Sequence, residues 1–188
     1  MDVEDLQAVH LVAADIIMDH LQQHKYRLYK APLGLMLMDW YLLGLVVGLG
    51  YHCYTDVRYL LLYDSTNILL ALLGLGRAWH LGLMSEAWQG AVVLGIMMLI
   101  IYCVSCGGMG EGDVKLAAVL GLWLGVEQGI LCLLLAFVSG AVCGCILVVL
   151  KYKNSKQALP FGPYLAMSAI ICYVYGEALL RWYGQFLH

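Results

Sequence analysis

From Leu33 to Tyr183 this sequence is a succession of apolar runs, several of them about as long as a bilayer is thick, and that feature limits its folds most severely. The runs are Leu33 to Thr55, Ile68 to about Leu83, Trp88 to Cys106, Val114 to Val126, Gly129 to Leu150, and Leu159 to about Tyr183. They predict an all-α integral membrane protein of about six transmembrane helices, because a segment in lipid must satisfy its own backbone hydrogen bonds. Hydrophobic residues make up 63% of the 188 residues and charged ones only 12%, with a mean hydropathy of +0.82. A soluble domain carries far less apolar sequence. Two runs are irregular. Arg77 and His80 fall near the end of the second, and Val114 to Val126 is too short to span unless its helix begins before Asp113 or the membrane thins.

The first 30 residues differ from the rest, so the chain divides into a segment 1–30 and a membrane domain 31–188. Val3, Leu6, Val9, Ala13, Ile16, Ile17 and Leu21 fall near one helical face, while Asp2, Glu4, Asp5, Asp15 and Asp19 make the stretch too polar to span. A short amphipathic helix lying in the membrane interface is expected. It lacks the basic start and apolar core of a signal peptide. His20 and His24 stand four apart with no third ligand in view and read as surface histidines. The net charge of -3 and the lack of a long basic run argue against nucleic acid as a partner. The bilayer itself is the partner that composition implies. The seven cysteines sit mostly in apolar runs, as small hydrophobes do, and the lone C-x-x-C of Cys103 and Cys106 lacks the second pair of a structural zinc site. Neither a metal nor another cofactor is expected. Gly140 and Gly144 form a G-x-x-x-G that reads as close helix packing, and Trp40, Trp79, Trp88, Trp123 and Trp182 read as interface anchors.

The polar loops carry the chemistry. Gly107 to Lys115, reading G-G-M-G-E-G-D-V-K, interrupts the apolar sequence with four glycines, two acids and a lysine. The run after it is rich in helix formers, so Asp113 is expected at or just inside a helix N-terminus, where an aspartate is also a good cap. Asp56 ends the first apolar run, and the two acids can meet at one membrane depth. Such a pair hydrolyses a peptide bond without a metal: one carboxylate takes a proton from water while the other, protonated, donates to the carbonyl oxygen. Nothing competes with this pair, since Ser105 has no neighbouring His and there is no H-E-x-x-H. Lys151, Lys153 and Lys156 place their loop on the cytoplasmic side by the positive-inside tendency, and counting back puts the loops at Asp56 and Gly107 there too. The same count leaves Lys25, Arg27 and Lys30 outside, against that tendency.

The segment G-E-G-D-V-K-L at Gly110 to Leu116 resembles the G-x-G-D motif of the prepilin peptidases, the membrane aspartyl proteases that process type IV prepilins and preflagellins. Two further matches stand in order. Asp56-Val57-Arg58 resembles the family's first catalytic aspartate with its basic neighbour, and Leu159-Pro160-Phe161-Gly162-Pro163 resembles its P-F-G-P segment. The resemblance implies an endopeptidase of a prokaryotic inner membrane that removes the leader of pilin-like precursors at the cytoplasmic face. It makes Asp56 and Asp113 the catalytic pair, with Gly110 and Gly112 admitting the substrate backbone. Lys115, Pro160, Phe161, Gly162 and Pro163 are expected to bind substrate or shape the cleft. Glu111 reads as a solvated loop acid.

The departures are informative. Where the family usually has a proline followed by Asn or Asp, this chain has Tyr63 and Asp64. Presenilin-like and signal-peptide-peptidase-like proteases place their first acid in such a Y-D, which makes Asp64 the alternative partner for Asp113. The paired C-x-x-C motifs of larger family members are absent, so no methyltransferase is expected. A small proton- or cation-coupled transporter, with Asp56 and Asp113 as a relay, is the reading from another class. A membrane assembly factor without catalysis is a third.

Overall fold

The structure, a computed structural model, describes residues 32–105, 109–150 and 160–186. The amphipathic segment 1–30, Cys106, Gly107, Gly108 and the basic loop Lys151 to Lys156 lie outside them. The described residues form five helices: α1 (Pro32–Tyr59), α2 (Asp64–Leu81), α3 (Met84–Val104), α4 (Glu111–Val149) and α5 (Gly162–Phe186). The chain divides into two compact units, residues 1–42 and 43–188, and both acids lie in the second.

Three helices, α3, α4 and α5, are long and apolar enough to cross a membrane. Their surfaces agree with that. Trp88, Val92, Ile96 and Ile100 on α3, and Leu134, Val138, Val142 and Ile146 on α4, recur every fourth residue and are all at least half exposed. Apolar stripes of this length need an apolar solvent.

The short fourth run and the long fifth run are two helices set end to end across a kink at Gly125, and α4 denotes the two together. Its first half starts at Glu111, ahead of Asp113, and its second half takes in Glu127 and Gln128. Its discontinuity is at Gly125, where φ of 71° and ψ of -167° lie in a region that essentially only glycine occupies. The break interrupts the regular ladder of the preceding carbonyls, and Arg77 of α2 answers it: its Nη1 donates to the Trp123 carbonyl at 3.0 Å. A guanidinium is well suited to the negative end of the helix half that precedes Gly125. The Arg77 head also lies 5.1 Å from the centre of the Tyr173 ring of α5.

Trp123 is therefore not an interface anchor. It is 2% exposed, its Nε1–H donates to the Leu70 carbonyl of α2 at 3.0 Å, and its ring fills the space where a side chain on Gly74 would stand. Trp40, Trp79, Trp88 and Trp182 are exposed.

Glycines set the closest approach. A Cβ on Gly90 of α3 would lie 2.7 Å from the Gly125 Cα and would overlap the Gly121 carbonyl. Both obstacles are backbone and neither can rotate away. Gly90→Ala is expected to destabilise the protein by about 1–3 kcal/mol, read as a lower unfolding midpoint in detergent; an unchanged midpoint would contradict this packing. In the G-x-x-x-G of α4, a Cβ on Gly140 would meet Tyr164 of α5 and Phe161 just before it at ordinary contact distances, so this position does not require glycine for close packing.

Candidate active site

Three helix ends converge. α1 carries Asp56 one turn before its end at Tyr59, α4 carries Asp113 in its first turn, and α5 begins at Gly162. The Gly162 N–H donates to Asp56 Oδ2 at 2.7 Å, joining residues 106 positions apart. Asp113 is anchored through its own backbone, its N–H donating to the Gly110 carbonyl at 3.2 Å. Both carboxylates therefore stand at the positive end of a helix, Asp113 on its own helix and Asp56 on α5. Each acid is only 6% exposed. They are near enough for the charge of one to be felt by the other, and Asp113 Oδ1 is buried without a hydrogen-bond partner.

The two acids line one cleft of about 860 Å3. Gly110, Gly112, Lys115, Asp64 and Phe161 line it as well, so most of the residues singled out from the sequence are brought together. Pro160 and Pro163 flank it: Pro163 is in the first turn of α5, where a missing N–H leaves no helical bond unmade. Lining residues that the sequence did not suggest are Leu60, Leu61, Leu62 and Tyr63 between α1 and α2, Met109, and Phe137 and Ala141 on α4. The Phe137 and Phe161 rings pack 5.0 Å apart, giving the cleft an aromatic patch. A single sequence carries no signal for that pairing, because only the α4–α5 contact creates it.

Local detail revises several expectations. Gly162 is not among the lining residues but adjoins Asp56, since a Cβ there would stand 2.7 Å from Asp56 Oδ2 and 3.2 Å from its Cβ. Only glycine lets this backbone reach the carboxylate. A Cβ on Gly112 would lie 2.9 Å from the Leu62 Cβ, so one side of this glycine is occupied by the protein itself. Lys115 pairs with Asp64, at 3.0 and 3.1 Å from its two carboxylate oxygens, and lies 3.5 Å from Glu111. Glu111 is the first residue of α4 rather than a loop residue. The alternative first acid is thus exposed and held in an ion pair at the cleft rim, while Asp56 is buried beside the α5 N-terminus. Exposed pairs of this kind contribute little. Asp64→Asn is expected to change turnover by no more than about threefold, measured as initial cleavage rate; a loss comparable to that of an Asp56 variant would make Asp64 the working acid.

A profile of the type IV leader peptidase family matches residues 43–145, just over half of the chain and including both acids. A prepilin leader peptidase/N-methyltransferase of Pseudomonas aeruginosa is 35% identical over 161 residues, covering 81% of this chain and 53% of that protein. The protein of the same name from Legionella pneumophila is 31% identical over 163 residues, covering 79% and 52%. That from Aeromonas salmonicida is 43% identical over 76 residues, covering 40% and 26%. The chain thus spans from about a quarter to about half the length of these relatives. No solved structure matches it. With both acids of the cleft inside the matched region, this chain belongs to the type IV leader peptidase family.

Proposed function

We propose that this protein is a membrane aspartyl endopeptidase that removes the leader peptide of type IV prepilin-like precursors, with Asp56 and Asp113 as its catalytic pair and its cleft open to the cytoplasm. One observation carries the reading: two buried carboxylates at helix N-termini line a single cleft in a chain of this family. The positive-inside tendency of the lysine loop after α4 supports the cytoplasmic orientation. The two apolar runs within α4, together with α1, α2, α3 and α5, are consistent with a six-span arrangement.

Two carboxylates this near each other hold one proton between them at neutral pH. The Gly162 N–H stabilises charge on Asp56, which leaves Asp113 as the proton holder. In the forward step a water oxygen attacks the scissile carbonyl carbon, Asp56 takes a proton from that water, and Asp113 gives its proton to the carbonyl oxygen. The neutral tetrahedral diol then collapses. Asp56 returns its proton to the departing nitrogen as the C–N bond breaks, and a diol hydroxyl gives its proton back to Asp113. The pair ends as it began, and no covalent intermediate forms.

The test is incubation of the purified protein and its Asp56→Ala, Asp64→Ala and Asp113→Ala variants with a pilin-like precursor in lipid, with product masses read directly. A single shortened product from the wild type and from Asp64→Ala, and none from the other two, is expected. Normal cleavage by Asp113→Ala would overturn the reading.

A further inference from the structure

The buried face of α1 changes character as it approaches the acids. Leu45 and Leu49 are followed by His52, Thr55 and Asp56, spaced to share one face of the helix. Thr55 is satisfied within α1, its Oγ1–H donating to the His52 carbonyl at 3.1 Å. The His52 side chain is not. It is fully buried, both ring nitrogens lack a hydrogen-bond partner, and it faces the Asn67 side chain of α2. Asn67 is 4% exposed, and both of its amide atoms are likewise without a partner.

Four polar atoms buried face to face and unbonded are costly in an apolar setting. The two groups are also complementary, since a neutral imidazole has one donor and one acceptor and an amide has both. The neighbouring rung of the same interface, one turn back, is Gly48 against Leu70, an apolar contact that leaves rotation of α1 weakly specified. A hydrogen bond is directional and specifies it.

We propose that His52 and Asn67 are positioning residues that bond to each other across the α1–α2 interface, fix the rotation of α1, and thereby aim Asp56, one turn further on, at Asp113. Neither residue lines the cleft, so neither touches the substrate. The inference rests on the reading of Asp56 and Asp113 as the catalytic pair.

The experiment compares the wild type with His52→Leu, Asn67→Leu, His52→Gln and the exchange variant His52→Asn with Asn67→His, in lipid, on a pilin-like precursor. His52→Leu and Asn67→Leu are expected to lower kcat by about tenfold or more while KM stays within about twofold, because misaim slows the chemistry and leaves the cleft intact. His52→Gln and the exchange variant, which keep a donor and an acceptor at the interface, are expected to stay within about threefold of wild-type kcat. If the leucine variants do not accumulate, the other two still decide: retained kcat supports the pair, and a loss of kcat in both overturns it. Leucine variants with wild-type kcat, or with a loss confined to KM, also overturn it. A wild-type protein that cleaves nothing would instead remove the catalytic reading and this inference with it.

Discussion

Replacing Asp113 with asparagine is expected to lower the cleavage rate by about a thousandfold or more, with KM little changed, as measured by single-turnover cleavage of a precursor. The exchange keeps size and shape, so the Asp113 backbone bond to Gly110 and the start of α4 survive. In the proposed mechanism, what disappears is a proton that can be passed to the substrate oxygen and taken back. An amide cannot do this, and a loss of that size corresponds to about 4 kcal/mol of transition-state stabilisation. The structural setting makes compensation by solvent poor. Asp113 is almost wholly buried, and Lys115, the nearest cation in sequence, is engaged with Asp64 and Glu111. A variant that retained a tenth of wild-type activity would mean that Asp113 only shapes the cleft.

Replacing Gly162 with valine is expected to be nearly as damaging, at about a hundredfold or more in kcat. A Cβ alone would stand 2.7 Å from Asp56 Oδ2, and two further methyl groups have nowhere to go without moving either α5 or the acid. Either movement breaks the 2.7 Å bond from the Gly162 N–H and releases Asp56 from the α5 N-terminus. Displacing a reacting group by about an ångström is enough for a loss of that order. Gly162→Ala tests the same geometry more gently and is expected to fall between valine and wild type. Activity independent of side-chain size at 162 would show that the contact does not matter in the working enzyme.

These two positions also show what a single sequence can and cannot convey. Asp56 and Asp113 are legible because acids are rare beside apolar runs, and because G-x-G-D and P-F-G-P accompany them in order. The helices themselves are legible from the apolar runs, and the helix of the fourth run starts ahead of Asp113, at Glu111. Gly162 was visible only as part of a motif. Its bond to Asp56 depends on two helix ends meeting across 106 positions, which no local pattern encodes.

The roles of Trp123 and Arg77 are hidden from the sequence for a related reason. Tryptophan favours membrane interfaces on average, but this one has a carbonyl of α2 as partner and a glycine opposite to make room for its ring. An arginine near the end of an apolar run reads as a helix terminus; here it is drawn inward by carbonyls left at the Gly125 break. The Arg77 role follows from a backbone discontinuity whose exact position the sequence hides among 21 glycines.

The central claim is that Asp56 and Asp113 act as one unit, and a double-substitution cycle measures it most directly. Single-turnover cleavage rates of Asp56→Asn, Asp113→Asn and the double variant are compared in the same lipid. Because removal of either acid already stops the shared proton transfer, the double variant is predicted to be no slower than the slower single variant, within about threefold. Losses that multiply would contradict the claim, since they would mean that the two acids contribute independently.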